Sequence, residues 1–410
     1  MTPSATVAIN ERSNAMLAAG RTVYKLGLGQ SPFPVPNVVV QTLRDAAHEK
    51  DYLPVVGLPA LRAAVAAYHG RQGVTFAPED VLIGPGSKEL MFILQLVFYG
   101  ELVIPTPSWV SYAPQAKIIG RSVRWVDTWR DNRHKLTADA LRSCFAEDPD
   151  RPRLVILNYP NNPTGYSYDA DELAAIAEVA REYGALLLSD EIYGELHHEG
   201  EHVSIATMYP EGTIISAGLS KWCGAGGWRL GTFSFPPQLA WLRDAMATVA
   251  SETFTSTSAP IQYAAVTAFD GDASIEKYLV DSRRVLRGLG RWCAARLRAA
   301  GASVDDPDGG FYLMPDFSPL DARLRARGID TSRALAERAL EATGTAFLPG
   351  EDFGRDPREL TARLAYVDFD GAAALEAVAA VDGEPDDAFY ARTCPRVVAG
   401  IEALAGWVDG

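Results

Sequence analysis

Cysteine is scarce in this chain, with four residues among 410. The four are scattered and form no Cys-x-x-Cys pair, so the sequence supports neither a zinc site nor a disulfide framework, and we predict no bound metal. We interpret them as free thiols in a reducing cytoplasm: Cys144, Cys223, Cys293 and Cys394.

Long apolar runs and an excess of basic residues are also missing. The apolar run at 90–97 is far shorter than the ~20 residues that a membrane helix needs, and residues 1–16 lack the apolar core of a signal peptide. The net charge is -14, whereas a nucleic-acid-binding surface needs a basic face. We therefore expect a soluble cytoplasmic protein with neither a membrane nor a nucleic acid as partner.

Length and composition predict a folded protein of two domains. A chain of 410 residues exceeds what one hydrophobic core usually supports. Hydrophobic residues make up 48% and charged residues 22%, close to the globular average.

The middle of the chain alternates short apolar runs with helical periodicity. A helix is predicted to begin at Asp169 and to end before Gly184. Uninterrupted apolar strands between helices favour a mostly parallel α/β sheet covered on both faces. The predicted strands are 102–104, 121–126, 154–157, 185–188, 213–216 and 230–235.

The two ends of the chain differ from the middle. Residues 258–299 read as one helical stretch ending at Gly301, followed by short strands near Phe311 and Arg363 and helices near Arg333 and Phe389. This pattern is typical of a smaller α+β domain. Residues 1–45 show little periodicity and are expected to wrap onto it. We predict an N-terminal arm at 1–45, a large domain at 46–280 and a small domain at 281–410.

The segment 220–231 restricts the possible chemistry of the protein more than any other segment does. It places Lys221 just after a predicted strand and Arg229 eight residues later, with glycines between them. A lysine with a lowered pKa can form a Schiff base with an aldehyde cofactor, and the arginine can hold a phosphate of the same cofactor. The alternative is a surface lysine in a loop.

Other polar segments also follow predicted strands, and ligands bind at the carboxyl ends of parallel strands. Asp190 ends an apolar strand, where a carboxylate is unfavourable unless a cation, such as a protonated ring nitrogen, faces it; a helix N-cap is the alternative. The turn 158–165 can aim an Asn amide into a cleft or be a simple turn. Trp109 can stack on a flat ring or belong to the core.

Two further segments can bind anions. The glycine turn at 84–87 opens an apolar helix, whose free N–H groups and dipole can bind a phosphate; a plain helix start capped by Ser87 explains it as well. Arg363 lies on an alternating strand and can clamp a carboxylate with two hydrogen bonds. A solvent-facing strand residue is the alternative there.

Together and in this order, the segments resemble the class I and II aminotransferases, which are fold-type I pyridoxal-phosphate enzymes. The resemblance extends from Gly29 to about Val367. It rests on four motifs: Asn-Pro-Thr-Gly at 162–165, Asp-x-x-Tyr at 190–193, Ser-Lys at 220–221 and Gly-Trp-Arg-x-Gly at 227–231. It implies the fold of aspartate aminotransferase, with a mostly parallel seven-stranded sheet in the large domain, and pyridoxal 5'-phosphate as cofactor.

The resemblance implies how the cofactor ring is held. Lys221 corresponds to the lysine that forms the Schiff base and later moves the proton. Asp190 corresponds to the aspartate that keeps the pyridine nitrogen protonated. Asn162 and Tyr193 correspond to the residues that hydrogen-bond the phenolic oxygen, and Trp109 to the aromatic residue stacked on the ring.

The resemblance also assigns phosphate, substrate and dimer residues. Arg363 corresponds to the arginine that binds the substrate α-carboxylate, and Gly29 to a glycine near the substrate; Trp109 and Asn162 also border the substrate. Tyr52 corresponds to a tyrosine that reaches the phosphate of the partner subunit in a homodimer. The phosphate set is Gly86, Ser87, Lys88, Ser220 and Arg229.

Among the departures from the family pattern, two lie beside the lysine. Gly218 stands where many relatives have a serine three residues before the lysine, and Ser216 or Ser220 is a possible replacement for its hydroxyl. Cys223, two residues after the lysine, is unusual, and we interpret it as a packing residue.

The predicted function is that of a homodimeric aminotransferase that moves an α-amino group between an amino acid and a 2-oxo acid through Lys221. An enzyme of the same fold with another outcome, a lyase, cyclase or decarboxylase acting on an amino acid, is the alternative, because the early steps are shared. A non-catalytic regulator carrying a DNA-binding domain is disfavoured by the net charge of -14 and by the short segment before Gly29.

Overall fold

The computed structural model describes residues 5–410, and side chains from residue 7 onward. Twelve strands lie in this part of the chain: β1 (Tyr24–Lys25), β2 (Val81–Gly84), β3 (Glu101–Thr106), β4 (Val123–Asp127), β5 (Arg153–Asn158), β6 (Leu186–Asp190), β7 (Thr213–Gly218), β8 (Gly231–Ser234), β9 (Tyr312–Leu313), β10 (Thr345–Ala346), β11 (Leu348–Pro349) and β12 (Ala362–Ala365).

The described residues also form fifteen α-helices, which precede, separate and follow these strands. They are α1 (Ala5–Ala18), α2 (Asn37–Asp45), α3 (Pro59–Arg71), α4 (Ser87–Val97), α5 (Tyr112–Ile118), α6 (Ala138–Ala146), α7 (Ala170–Glu182), α8 (Ala240–Ser251), α9 (Ala259–Asp270), α10 (Ala273–Ala299), α11 (Asp321–Ala326), α12 (Ser332–Thr343), α13 (Gly371–Ala379), α14 (Asp387–Thr393) and α15 (Pro395–Asp409). None of them is both long and apolar enough to span a membrane.

Seven strands form one large sheet in the order β2-β8-β7-β6-β5-β3-β4. The pairs β7–β6, β6–β5, β5–β3 and β3–β4 are parallel, and β8 runs antiparallel to both of its neighbours. This architecture confirms the predicted α/β class with a mostly parallel seven-stranded sheet.

Both faces of the large sheet are covered, because side chains alternate along each strand. On β3, Leu102 and Ile104 pack with α4, α5 and α8 on one face. Val103, between them, packs with α6 and α7 on the opposite face. The near-continuous apolar strands seen in the sequence follow from this double cover.

The predicted start and end of α7 are confirmed. The Asp169 carboxylate accepts a hydrogen bond from the Glu172 backbone N–H at 2.8 Å, and the Glu172 carboxylate accepts one from the Asp169 backbone N–H at 3.0 Å. This capping box satisfies two free donors at the helix start. Gly184 follows the helix with φ +59°, as expected of a residue that ends a helix.

The C-terminal part contains a second, three-stranded sheet in the order β11-β12-β9. Near the N-terminus, β1 pairs with β10 in parallel, whereas α2 packs against α9. The helices α1 and α2 lie in the N-terminal segment whose sequence shows little periodicity.

The single helical stretch predicted at 258–299 is wrong: it divides into α9 and α10 around Gly271, whose φ is +71°.

The proposed boundary between residues 280 and 281 falls inside α10, whose 27 residues continue across it. The helix begins at an Asp272 cap that accepts hydrogen bonds from two backbone N–H groups.

The start of α4 lies against β8. A Cβ atom on Gly231 would lie 2.1 Å from the backbone nitrogen of Ser87, so only glycine permits this approach. Gly86, with φ +97°, is the residue before the helix, and no side chain caps it. The alternative of a helix start capped by Ser87 is therefore wrong, because Ser87 is the first residue of the helix and no side chain of the described residues satisfies its free N–H groups.

Candidate active site

Residues distant in sequence meet at one edge of the large sheet. The carboxyl ends of β2, β3, β5, β6 and β7 lie there, together with the beginning of the antiparallel β8. A cavity of about 470 Å³ opens at this edge. It is lined by Val7, Gly29, Ser87, Lys88, Trp109, Val110, Ser111, Tyr112, Asn158, Asn162, Asp190, Ile192, Tyr193, Ser220, Lys221, Arg229, Tyr312 and Arg363.

Lys221 lies in the loop after β7 and is directed into the cavity rather than to the surface. Its Nζ donates a hydrogen bond to the backbone carbonyl of Gly29 at 2.7 Å. Enclosure of the ammonium lowers its pKa to about 8, and the nearby guanidinium of Arg363 acts in the same direction. The neutral, nucleophilic amine is therefore more populated near neutral pH than in an ordinary lysine.

Asp190 is buried at the end of β6, with an exposed fraction of 3%. Its carboxylate accepts hydrogen bonds from the hydroxyls of Tyr112 at 2.6 Å and Ser216 at 3.2 Å. Burial nevertheless raises its pKa to about 6, against the opposing effect of these two donors. Among the described residues no lysine or arginine forms an ion pair within 4 Å of this carboxylate, so its ionised form favours a cationic group placed in the cavity.

The turn after β5 is held by its own side chains. The backbone N–H of Asn162 donates to Asn158 Oδ1 at 2.8 Å, and Asn158 Nδ2 donates to the Asp190 carbonyl at 2.9 Å. Thr164 contacts Asn161 Oδ1 through both its backbone N–H and its hydroxyl. These bonds place the Asn162 side chain in the cavity wall beside Asp190 and Tyr193.

One end of the cavity is suited to a phosphate. The start of α4 contributes Ser87 and Lys88, and the loop after β7 contributes Ser220 and Arg229. Lys88 Nζ lies 5.0 Å from the Trp109 ring centroid. A Cβ atom on Gly86 would lie 2.2 Å from Arg229 Nη2, so glycine is needed for the arginine to reach this place.

Arg363 occupies the other side of the cavity and is only 2% exposed, so it is not a solvent-facing residue. One Nη donates to the Gly27 carbonyl, and the other lies 3.5 Å from Asn162 Oδ1. Among the described residues, its Nε is buried without a hydrogen-bond partner. Because the guanidinium also lines the cavity, it is suited to bind a carboxylate there.

Four cationic side chains therefore line one cavity, and within the described residues none has a carboxylate oxygen within 4 Å. They are Lys88, Lys221, Arg229 and Arg363. In a chain with a net charge of -14, unpaired cations at one place indicate a site for anions. The donor set fits pyridoxal phosphate: cations and hydroxyls for the phosphate, an amine for the aldehyde, and Asp190 for the ring nitrogen.

Two of the sequence-predicted residues lie outside the cavity lining. Gly86 acts by leaving room for Arg229, as its missing Cβ shows. Tyr52 is 89% exposed and makes no contribution to the cavity of its own chain.

The structure also answers the two departures noted in the sequence. A Cβ atom on Gly218 would lie 2.7 Å from the Leu230 carbonyl oxygen, which leaves no room for a serine there without a shift. Ser216 donates to Asp190, so Ser220 is the hydroxyl that lines the cavity. Cys223 is buried and its pKa is raised to about 12 by burial, in keeping with a packing residue.

Sequence reasoning missed Tyr112 and Tyr312 as site residues. Tyr112 follows Trp109 by three residues, and that short spacing after a strand was the available signal. Tyr312 lies on β9, far away in the sequence, and its hydroxyl is 2.8 Å from the hydroxyl of Tyr193. No local pattern marks it.

Comparison with known proteins identifies the family. The family model described as aminotransferase class I and II matches residues 21–369. Aspartate aminotransferase of Geobacillus stearothermophilus is 34% identical over 86% of this chain and 90% of its own length. Aspartate/prephenate aminotransferase of Thermus thermophilus is 32% identical over 86% of this chain and 89% of its own length.

Solved structures agree with this result. Aspartate aminotransferase from Thermus thermophilus with maleate has a TM-score of 0.82 at 32% identity and covers 92% of this chain and 96% of its own. The aspartate aminotransferase from Rhizobium meliloti has a TM-score of 0.84 at 25% identity, and the match covers 100% of this chain and 97% of the other. The fold is thus that of the aspartate aminotransferases. The chain belongs to the class I and II aminotransferases and is a pyridoxal-phosphate-dependent transaminase of amino acids and 2-oxo acids.

Replacing Asp190 with Asn should stabilise the cofactor-free protein at alkaline pH. The folded pKa near 6 lies above the unfolded value, so the penalty for the buried charge grows as pH rises from about 4 to 6 and is complete above that range. We expect Asp190→Asn to raise the free energy of unfolding at pH 8 by on the order of 2 kcal/mol. The gain should vanish near pH 4, as measured by denaturant unfolding.

The exposed Asp139, changed to Asn, serves as the control and should show no such pH-dependent gain. A wild-type protein as stable as the Asp190→Asn variant at pH 8 would contradict a raised pKa for the Asp190 carboxyl.

Proposed function

We propose that the transaminase works as a homodimer in which Lys221 holds the cofactor as a Schiff base and Arg363 binds the α-carboxylate of the substrate. The convergence of four cations on the cavity beside the buried Asp190 carries this proposal, since no carboxylate of the described residues forms an ion pair with them. Lys88 and Arg229, with Ser87 and Ser220, would hold the phosphate at one end.

When bound, pyridoxal phosphate supplies an electrophilic carbon and a ring that withdraws electrons from the substrate α-carbon. Asp190 would keep the ring nitrogen protonated, because an ionised carboxylate in this buried place is stabilised by a facing cation. Tyr193 and Asn162 would hydrogen-bond the phenolic oxygen, and Trp109 would stack on the ring. Lys221, with its pKa lowered to about 8, can hold and release a proton near neutral pH.

The proposed substrates are recognised first by their shared carboxylate. Arg363 lines the cavity, and its planar guanidinium suits two-point binding of a carboxylate. Several relatives are named for aspartate, and others for prephenate or asparagine. Aspartate is therefore the first amino donor to test. Among the described residues, the remaining cavity walls include no further cation for a second carboxylate.

Transamination is tested with the donor amino acid alone. We expect one 2-oxo acid formed per site and no ammonia released, because the amino group stays on the enzyme until a second 2-oxo acid removes it. Chromatographic measurement of the keto acid and an ammonia assay over a panel of amino acids check this. Release of ammonia or carbon dioxide with every donor would favour a lyase or decarboxylase instead.

The Lys221→Ala variant tests the role of the lysine. Loss of the amine removes both the attachment of the cofactor and the group that moves the proton. We expect turnover to fall by at least about 1,000-fold and the visible absorbance of the bound cofactor to change. Turnover retained at the wild-type level would refute the assignment.

The Arg363→Ala variant tests carboxylate binding. Removing a buried guanidinium that binds an anion should raise KM for the donor roughly 10- to 100-fold, while the cofactor stays bound. Arg363→Lys keeps the charge without the planar fork, so its KM for the donor should lie between those of the wild type and Arg363→Ala. Steady-state kinetics and equilibrium dialysis of the cofactor measure the two effects. Loss of cofactor at unchanged KM would show that Arg363 belongs to the cofactor site.

The dimer proposal depends on Tyr52. A large aromatic side chain that is 89% exposed in one chain is available to a second copy. The resemblance implies that this tyrosine reaches the phosphate bound by the partner subunit. Sedimentation should therefore show a mass of two chains.

Tyr52→Ala should weaken cofactor binding at least about tenfold, as expected for the loss of a hydrogen bond to a charged group. Tyr99→Ala is the control, because Tyr99 is another exposed tyrosine, 68% accessible. A monomer in solution, or a Tyr52→Ala variant with unchanged cofactor affinity by equilibrium dialysis, would overturn the dimer assignment.

A further inference from the structure

We propose that Tyr312 is a positioning residue that sets the hydroxyl of Tyr193 and the guanidinium of Arg363 in one arrangement. This inference rests on the proposed roles of those two residues. It assigns to Tyr312 an effect on both the cofactor side and the substrate side of the cavity.

The first contact is with Tyr193. The two hydroxyl oxygens lie 2.8 Å apart, and the rings meet edge to face with centroids 5.5 Å apart and an interplanar angle of 79°. Within the described residues, Tyr312 is the sole hydrogen-bond partner of the Tyr193 hydroxyl. When Tyr312 donates its proton to Tyr193, the proton of Tyr193 is left free to point into the cavity.

The second contact is with Arg363. The guanidinium carbon lies 4.9 Å from the Tyr312 ring centroid and 5.3 Å from that of Phe353. An arginine over an aromatic face is attracted by the negative face of the ring. The two rings thus restrict where the guanidinium can lie, while its Nε has no hydrogen-bond partner in the described part of the chain.

Gly29 supports the same assignment. A Cβ atom at this position would lie 1.9 Å from the Tyr312 hydroxyl oxygen. The backbone carbonyl of the same glycine accepts the hydrogen bond from Lys221 Nζ. Glycine at position 29 therefore leaves the space that the Tyr312 hydroxyl occupies, and Tyr312 lies among the groups of Lys221, Tyr193 and Arg363.

Tyr312→Phe removes the hydroxyl and keeps the ring. A donor hydrogen bond favours the form of its acceptor that carries more negative charge, so a misdirected Tyr193 should raise the pH midpoint of the bound cofactor's visible spectrum. We expect an upward shift of roughly half a pH unit, a fall in kcat of roughly 3- to 10-fold, and a KM for the donor within about twofold of wild type.

Tyr312→Leu removes the ring as well. Loss of the aromatic face should release Arg363, and KM for the donor should rise roughly 3- to 30-fold beyond that of the Phe variant. Tyr312→Phe should change the spectrum and kcat, and Tyr312→Leu should in addition raise KM. This difference distinguishes a positioning role from a simple loss of packing.

Tyr366→Phe is the matched control. Tyr366 is also fully buried in the C-terminal part, and its hydroxyl contacts the Gly310 carbonyl instead of the cavity. We expect its spectrum, kcat and KM to equal those of the wild type. The spectral titration and steady-state kinetics are to be made on the cofactor-loaded enzymes.

A spectral midpoint and kcat unchanged in Tyr312→Phe would overturn the inference, as would equal shifts in Tyr312→Phe and Tyr366→Phe. Failure of the proposed function is a separate result, because it would appear as wild-type behaviour of Lys221→Ala or Arg363→Ala.

Discussion

The buried carboxylate of Asp190 is the constraint on which the rest of the site depends. It lies at the end of a central strand, and hydroxyls of Tyr112 and Ser216 satisfy its oxygens without neutralising its charge. These donors do not offset the cost of burial, which raises the pKa to about 6, so a facing cation would stabilise the ionised carboxylate further. The protein thus carries a local instability that a protonated cofactor ring would relieve.

Like Asp190, the cations around it have no ion-pair partner of opposite charge among the described residues. Elsewhere in the described residues, many arginines pair with carboxylates, as Arg283 does with Glu195 at 2.7 Å. The four cavity cations have no carboxylate oxygen within 4 Å in the described part of the chain, although the chain is acidic overall. A site that combines unpaired cations with one buried anion is complementary to a molecule with a phosphate, a carboxylate and a ring cation, which matches the cofactor and substrate of the family.

Much of the fold and site could be predicted because their signals are local. The capping box of Asp169 and Glu172 lies within four consecutive residues, and Gly184 marks the end of the same helix. The ends of strands carry Asp190 and Lys221 in short motifs. The break at Gly271 was missed because the apolar periodicity of α9 and α10 continues on both sides of it, and α1 was missed because its apolar residues follow no clear helical stripe.

The sequence by itself determined the cofactor chemistry, since the motifs that carry it consist of neighbouring residues at strand ends. Only the tertiary structure decided that Ser216 serves Asp190 while Ser220 lines the cavity, and that Tyr312 joins Tyr193 to Arg363. The physical reason is separation along the chain: Tyr193 and Tyr312 are 119 positions apart. Contacts over such distances depend on how the layers pack, which no local pattern records.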